Sequence, residues 1–166
     1  MKTLYLIRHA KSSWEDINLR DFDRPLNERG EKDAPRMAKR LKERDIHPNL
    51  LVSSPAKRAL ATCKAFAKTL GYSDRHIKTD ERIYHADEDT LLEVIRSIKN
   101  SCDTVMLFGH NPGLTDFVNE FGEGTYVDNI PTCGVVAYRF PVDSWEDVDW
   151  KKGELLFFDF PKNRKD

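Results

Sequence analysis

Residues 4–14 read Leu-Tyr-Leu-Ile-Arg-His-Ala-Lys-Ser-Ser-Trp, an apolar run of Leu4, Tyr5, Leu6 and Ile7 that passes straight into Arg8 and His9. A short continuous apolar run bounded by polar residues is the pattern of a strand covered on both faces. Residues 3–8 are therefore predicted to form the first strand of a buried sheet. Its end admits two readings. Either a buried strand has reached water, or the strand delivers a histidine, among cations, to an anionic ligand. The residues at the ends of the other strands decide between them.

Strands and helices alternate outward from this stretch. Residues 27–45 have helical periodicity, with Ala34, Met37, Ala38 and Leu41 on one face and Asn27 as N-cap. Gly30 and Pro35 predict an irregular start or a kink. Residues 49–53 (NLLVS) read as a second strand that meets Ser54-Pro55, an N-cap followed by proline at the first helical position. The helix so opened turns Ala59, Leu60, Cys63, Phe66, Ala67 and Leu70 inward and ends at Gly71. Residues 77–84 read as a third, less apolar strand, followed by a helix capped by Asp89 or Thr90 with Leu91, Leu92, Ile95 and Ile98 on its face. Residues 104–108 (TVMLF) are the fourth strand, leading into Gly109-His110-Asn111-Pro112-Gly113 and a short helix to about Phe121. Two late strands, 135–140 and 155–160, are expected to extend one edge of the sheet, one of them antiparallel. The alternation implies right-handed crossovers and a three-layer α/β/α sandwich with a mostly parallel central sheet. Residues 1–160 are predicted as one domain and 161–166 as a loose polar tail.

The totals narrow the classes. A chain of 166 residues is long enough for one domain that buries about 70% of its unfolded surface. With 27 basic and 28 acidic residues the formal net charge is -1, so no global field draws the chain to nucleic acid or a membrane surface. No apolar run approaches the roughly 20 residues of a membrane span, and Leu4 to Ile7 is too short for the apolar region of a signal peptide. Cys63, Cys102 and Cys133 are widely spaced and odd in number, which predicts reduced thiols in a cytoplasmic protein.

In sheets of this kind, ligands bind beyond the carboxyl ends of the strands. After the first strand come Arg8, His9, Lys11 and Ser12; after the second, Ser53, Ser54, Lys57 and Arg58; after the third, Tyr84 and His85; after the fourth, Gly109, His110 and Asn111. Three of five histidines and two arginines collect on one rim. Arginine forks match phosphate oxygens, and a unit-charge contact at 4 Å is worth roughly 4 kcal/mol at an effective dielectric near 20. A neutral imidazole can accept a phosphoryl group covalently, and arginine neighbours keep it neutral. His9 fits that role, with its Nδ1–H held by a backbone carbonyl; His110 fits as a donor to a phosphoryl oxygen. His47 and His76 read as surface residues and His85 as a loop residue. No His-x-x-x-His, Cys-x-x-Cys or carboxylate cluster gives metal-ligand spacing, and neither a dinucleotide fingerprint nor a P-loop is present, so no metal or cofactor is expected.

Arg8-His9-Ala10-Lys11-Ser12, Ser53-Ser54-Pro55-Ala56-Lys57-Arg58-Ala59 and Gly109-His110-Asn111-Pro112-Gly113 together resemble the histidine phosphatase superfamily, the phosphoglycerate-mutase-like group with an Arg-His-Gly signature. Within it the chain is most similar to the short phosphohistidine phosphatase branch. The likeness runs in order from residue 3 to about 121 and includes Asp23-Arg24-Pro25-Leu26 and Tyr84-His85-Ala86. It implies His9 as phospho-acceptor, Arg8, Arg58 and His110 as the rest of the phosphate pocket, and Arg24 as a further contact. Ser12 and Asn111 are candidate substrate contacts. Ala10 replaces the usual glycine, so its backbone is expected to avoid positive φ. Larger relatives carry a carboxylate acid beyond the third strand; Glu81 lies near the matching place, and Asp87 is an alternative. There is little room for an inserted lid, which predicts an open site. The resemblance implies a cofactor-free phosphatase for phosphohistidine on a protein partner. The alternatives are a phosphatase for small phosphomonoesters and a phosphoprotein-binding module without turnover.

Overall fold

A computed structural model describes residues 1–122 and 126–163. The opening run forms β1 (Lys2–Arg8), with Leu4 and Leu6 in one core cluster and Tyr5 and Ile7 in the other, all buried. A strand apolar on both faces must lie inside a sheet covered on both sides. β1 does so, pairing in parallel with β4 (Thr104–Gly109) and antiparallel with β5 (Val135–Phe140). The remaining strands are β2 (Leu50–Ser53), β3 (Ile77–Thr79) and β6 (Glu154–Asp159), and the order across the sheet is β3-β2-β4-β1-β5-β6. The ladders from β3 through β1 are parallel, while β5 runs against both β1 and β6. The late pair therefore extends one edge and only β5 is reversed, as the sequence predicts.

Helices cover both faces. On one side α1 (Glu28–Glu43) and α2 (Lys57–Leu70) set Ala34, Met37, Ala38, Leu41, Cys63 and Phe66 against Tyr5, Ile7, Met106 and Phe108. On the other, α3 (Glu88–Arg96) and α4 (Gly113–Asn119) set Leu91, Val94, Ile95, Leu114 and Phe117 against Leu4, Leu6, Val105 and Leu107. This is the expected three-layer α/β/α sandwich, wound around a mostly parallel sheet. No helix among the described residues is long and apolar enough to cross a membrane.

Several boundaries differ from expectation, each for a local reason. Asn27 does cap α1, its side chain accepting from Gly30 N at 2.8 Å, and the helix runs unbroken through Pro35. Proline there deprives only the Glu31 carbonyl of a partner, and Glu31 is exposed to water. Ser54 is not the cap of α2. Its Oγ accepts from Ala56 N at 3.2 Å in a tight turn, and the helix begins at Lys57 with Ala56 as N-cap. Gly71 closes α2 in the left-handed conformation at φ 86°, as expected. Asp87, rather than Asp89 or Thr90, caps α3 by accepting from Thr90 N at 2.8 Å. β3 spans only three residues, because Asp80 turns the chain into a 3-10 segment at Glu81–Ile83 by accepting from Arg82 N. Residues 161–163 are not loose: Arg40 donates to the carbonyls of Phe160, Pro161 and Asn163. Residues 164–166, the rest of the predicted tail, lie outside the described residues.

Candidate active site

Strand register assembles the site. Arg8 pairs with Gly109 on β4, and Ser53 on β2 pairs with Phe108, so His9, His110 and Ser54 leave three adjacent strands side by side. Backbone bonds hold them there: His9 N donates to Gly109 O at 3.0 Å and Ser54 N to Phe108 O at 3.0 Å. The rings of His9 and His110 are 5.2 Å apart, and Tyr84 lies 5.5 Å from His110.

His9 is 7% exposed. Its Nδ1 lies 2.7 Å from the Ala10 carbonyl, which can only accept, so Nδ1 carries the proton and Nε2 keeps its lone pair. Arg58 directs Nε–H at that Nε2 across 3.4 Å. Burial pushes the His9 pKa down; the Ala10 carbonyl works against this, and the charges of Arg58, Arg8 and Arg24 add to the fall, to about 4. Burial also depresses His110, with His9 and Arg58 contributing, to about 3. Both imidazoles are neutral at pH 7. His110 Nε2 shares a 2.8 Å hydrogen bond with Ser54 Oγ, while its Nδ1 is buried without a partner among the described residues.

The cations come from three directions. Arg8, at the end of β1, donates Nη1–H to Ile130 O at 2.8 Å. Arg58, in the first turn of α2, donates to the Asp21 backbone carbonyl from Nη1 at 2.6 Å and to Asp21 Oδ2 from Nη2 at 3.0 Å. Arg24 donates Nε–H to Asp21 Oδ1 at 3.3 Å, and its guanidinium carbon sits 3.4 Å from the centroid of the Trp14 ring. Tyr84 Oη donates to Asp21 Oδ2 at 2.6 Å. Two neutral histidines thus face three arginines, a set that can hold an anion beside a nucleophilic nitrogen. Among the described residues no group of three or more His, Cys, Asp and Glu side chains is arranged to hold a metal ion.

The model of the histidine phosphatase superfamily (branch 1) matches residues 4–88, or 85 of 166 residues. The chain belongs to this superfamily. An uncharacterized chloroplastic protein of Arabidopsis thaliana is 30% identical over 155 residues, which cover 89% of this chain and 70% of that relative. Among solved structures, the candidate phosphohistidine phosphatase SixA of Agrobacterium tumefaciens is 30% identical, with a TM-score of 0.80 over 96% of this chain and 98% of its own. The protein histidine phosphatase SixA complexed with tungstate, 18% identical, shares the fold with a TM-score of 0.80 over 96% of this chain and 97% of its own.

The histidine phosphatase motifs thus converge in space: Arg8, His9, Arg58 and His110 meet at the carboxyl ends of β1, β2 and β4, with Arg24 reaching in from the loop after β1. Ala10 is not among the positive-φ residues, and its N–H donates to Thr62 Oγ1 at 3.0 Å. Ser12 is buried in an antiparallel bridge with Leu26, at the neck of that loop. Asn111 turns its carboxamide to the protein, donating to Asn129 Oδ1 at 2.8 Å and Ile130 O at 3.0 Å and accepting from Thr115. Glu81 is exposed on the 3-10 segment, and no hydrogen bond joins it to the arginines or histidines among the described residues. Sequence reasoning missed Asp21 and Thr62 and gave Tyr84 no role. The one available signal was the placement of Asp21 three residues before Arg24, a spacing at which opposite charges meet across a single turn.

Proposed function

We propose that the protein is a phosphatase that works through a covalent phosphohistidine at His9, with phosphohistidine on a protein as its preferred substrate. The observation that carries this reading is His9 itself. It is buried and neutral, its Nδ1–H is given to a backbone carbonyl, and its Nε2 lone pair faces a guanidinium. Nε2 attacks phosphorus, the bond to the leaving nitrogen breaks, and the departing imidazole takes up a proton. Water then attacks the phosphorus on His9, releasing inorganic phosphate and regenerating Nε2. Arg8, Arg58 and His110 hold the equatorial oxygens, where negative charge spreads in the transition state, and Arg24 adds a further positive charge.

What surrounds His9 supports this substrate class. Among the described residues the Glu81 side chain makes no hydrogen bond to the arginines or histidines of the site and Asp87 is engaged as the α3 cap, which favours a leaving group that needs no carboxylic acid. A leaving imidazole needs such help less than an alkoxide does. Only residues 84–87 separate the 3-10 segment from α3, so no lid is inserted between them, which favours a protein side chain as substrate. The relatives that carry the SixA name point the same way. We take the reaction to need no metal and residues 1–160 to act as one domain. The free Cys63, Cys102 and Cys133 suit a reducing compartment such as the cytoplasm.

The test is phosphate release from a phosphohistidine-bearing protein, beside p-nitrophenyl phosphate and a phosphoserine peptide, all with EDTA. Rapid release from phosphohistidine, lost in His9→Ala, is the expected result. Faster release from the ester would keep His9 as nucleophile and reassign the substrate; turnover within about tenfold of wild type in His9→Ala would end the covalent mechanism.

A further inference from the structure

Asp21 stands on the 3-10 turn Asp21–Asp23, inside a loop whose neck is closed by Ser13 N donating to Pro25 O at 2.8 Å and by the bridge between Ser12 and Leu26. Its carboxylate lies among the same cations that face His9. Oδ2 accepts from Arg58 Nη2 at 3.0 Å and Tyr84 Oη at 2.6 Å, and Oδ1 accepts from Arg24 Nε at 3.3 Å. Its backbone carbonyl takes Arg58 Nη1 at 2.6 Å. Both terminal nitrogens of Arg58 therefore already serve Asp21, while Nε serves His9. Arg58 is buried, whereas the Asp21 side chain is 42% exposed, so the carboxylate covers the guanidinium from the solvent side. An oxyanion with its oxygens on two arginines and a phenol, beside the nucleophilic ring, has the coordination that a phosphoryl group would need.

We infer that Asp21 is a resident anion that competes with the phosphoryl group for Arg58 and Arg24, and that it thereby determines which substrates the site accepts. The inference rests on the phosphatase reading and deepens it. A substrate whose only handle is its phosphate must displace Asp21 with that phosphate alone. A phosphorylated protein can recover the loss through contacts outside the pocket. After hydrolysis the same carboxylate competes with the product, inorganic phosphate, and speeds its departure. Partial burial would raise the pKa of Asp21, but hydrogen bonds from Tyr84 and Arg58 and the charges of Arg58 and Arg24 outweigh it and hold the value at about 2. Asp21 is therefore a full negative charge at neutral pH, as a competitor must be.

The inference is tested by calorimetric titration of inorganic phosphate into wild type, Asp21→Asn, Tyr84→Phe and Arg58→Ala. Removing the charge while keeping the shape should tighten phosphate binding about tenfold or more in Asp21→Asn, since a like charge no longer opposes the ligand. KM for p-nitrophenyl phosphate should fall by a similar factor. Tyr84→Phe keeps the charge but releases one of its anchors, and should shift binding the same way by a smaller factor; it also serves should Asp21→Asn fail to fold. Arg58→Ala should lose phosphate binding. Unchanged or weaker phosphate binding in Asp21→Asn and Tyr84→Phe, with wild type binding normally, would overturn the competitor role and leave Asp21 as a brace for Arg58. If no form bound phosphate, the reading of the cluster as a phosphoryl site would fall first, and the role of Asp21 with it.

Discussion

Arg58 Nε lies 3.4 Å from His9 Nε2, on the side of the ring opposite the 2.7 Å bond between Nδ1 and the Ala10 carbonyl. The distance is long for a hydrogen bond, and its importance is electrostatic. A permanent positive charge beside the lone pair makes a second proton on the imidazole unfavourable. The same charge attracts whatever anion approaches that nitrogen. One guanidinium can thus keep the imidazole unprotonated and, in the proposed reaction, hold the group it attacks. The sequence separation of 49 residues is closed because β1 and β2 flank β4 and end at the same level.

The His9 ring should therefore stay neutral far below the usual histidine range. NMR titration of its ring carbons should show a midpoint near 4, and a midpoint near 6.5 would contradict the burial argument. The depressed value also sets the sign of the effect on stability. Between about pH 6.5 and 4 the unfolded chain binds a proton at this residue and the folded chain does not, so stability is complete above the unfolded value and falls as the pH is lowered. For His9 alone the loss reaches roughly 3 kcal/mol, visible in urea midpoints measured at about pH 7.5 and pH 4.5. Replacing His9 by Gln should remove its share of that dependence and leave the share of His110, which is depressed in the same direction.

Thr62 ties the two halves of the site together. Its Oγ1 accepts from Ala10 N at 3.0 Å and donates to the Arg58 carbonyl at 2.8 Å, all of it buried. Thr62→Val keeps the shape and leaves the Ala10 N–H without a partner, which costs about 1–3 kcal/mol. Thr62→Ser keeps the hydroxyl and should restore most of it. The activity readout distinguishes positioning from plain destabilisation: at a temperature where both variants are fully folded, kcat should fall in Thr62→Val and recover in Thr62→Ser. Equal kcat in the two would leave Thr62 a purely structural residue.

The part of the site legible in the sequence is the part built by strands. Arg8, His9, Ser54 and His110 each sit at or one residue beyond the end of a strand, and the ends of parallel strands must meet, so reading past each apolar run found them. Asp21 was hidden because it lies in a loop with no period, and the approach to Arg58 depends on how the neck at Ser12 and Leu26 closes. Asn111 was legible as a position, but its intramolecular partners were not, because its carboxamide turns toward Asn129 and Ile130, on a segment with no strand to mark it. Caps failed for a related reason. Ser54 has every property of an N-cap, but its hydroxyl already bonds His110 and the turn at Ala56, so the helix starts later.

Gly30 is the point where α1 meets the loop that leads away from His9. A Cβ built there would clash with the Lys11 carbonyl oxygen, well inside van der Waals contact, and that carbonyl is itself held by Asn27 N at 2.9 Å. The first turn of α1 cannot back away from the loop without breaking the bond from Asn27 N to that carbonyl. Gly30→Ala should therefore destabilise the fold by about 1–3 kcal/mol despite the better helix propensity of alanine. A gain in the urea midpoint would show that loop and helix separate more easily than their bonds imply. Gly71→Ala provides a comparison: the space around it is open, and only its φ of 86° opposes the change, at about 1 kcal/mol.

Asn111 holds the partner of Arg8. Its Nδ2 donates to Ile130 O at 3.0 Å, the same oxygen that accepts from Arg8 Nη1 at 2.8 Å, and its Oδ1 accepts from Thr115 N and Oγ1. Thr115 Oγ1 in turn accepts from Ile130 N, so the two side chains grip Ile130 from both ends of the residue. Arg8 Nε is buried without a partner among the described residues, which leaves the Ile130 carbonyl as the contact that sets the aim of its guanidinium. Asn111→Ala should loosen Ile130 and let Arg8 swing. If Arg8 stabilises the transition state, kcat/KM for phosphohistidine should drop by about tenfold to a hundredfold, well beyond what the stability loss explains at a temperature where the variant is folded. Arg8→Lys should lower it comparably, and the double variant should add little, because both changes remove the same aimed fork. Fully multiplicative effects would mean that Asn111 acts on the reaction by some route other than Arg8.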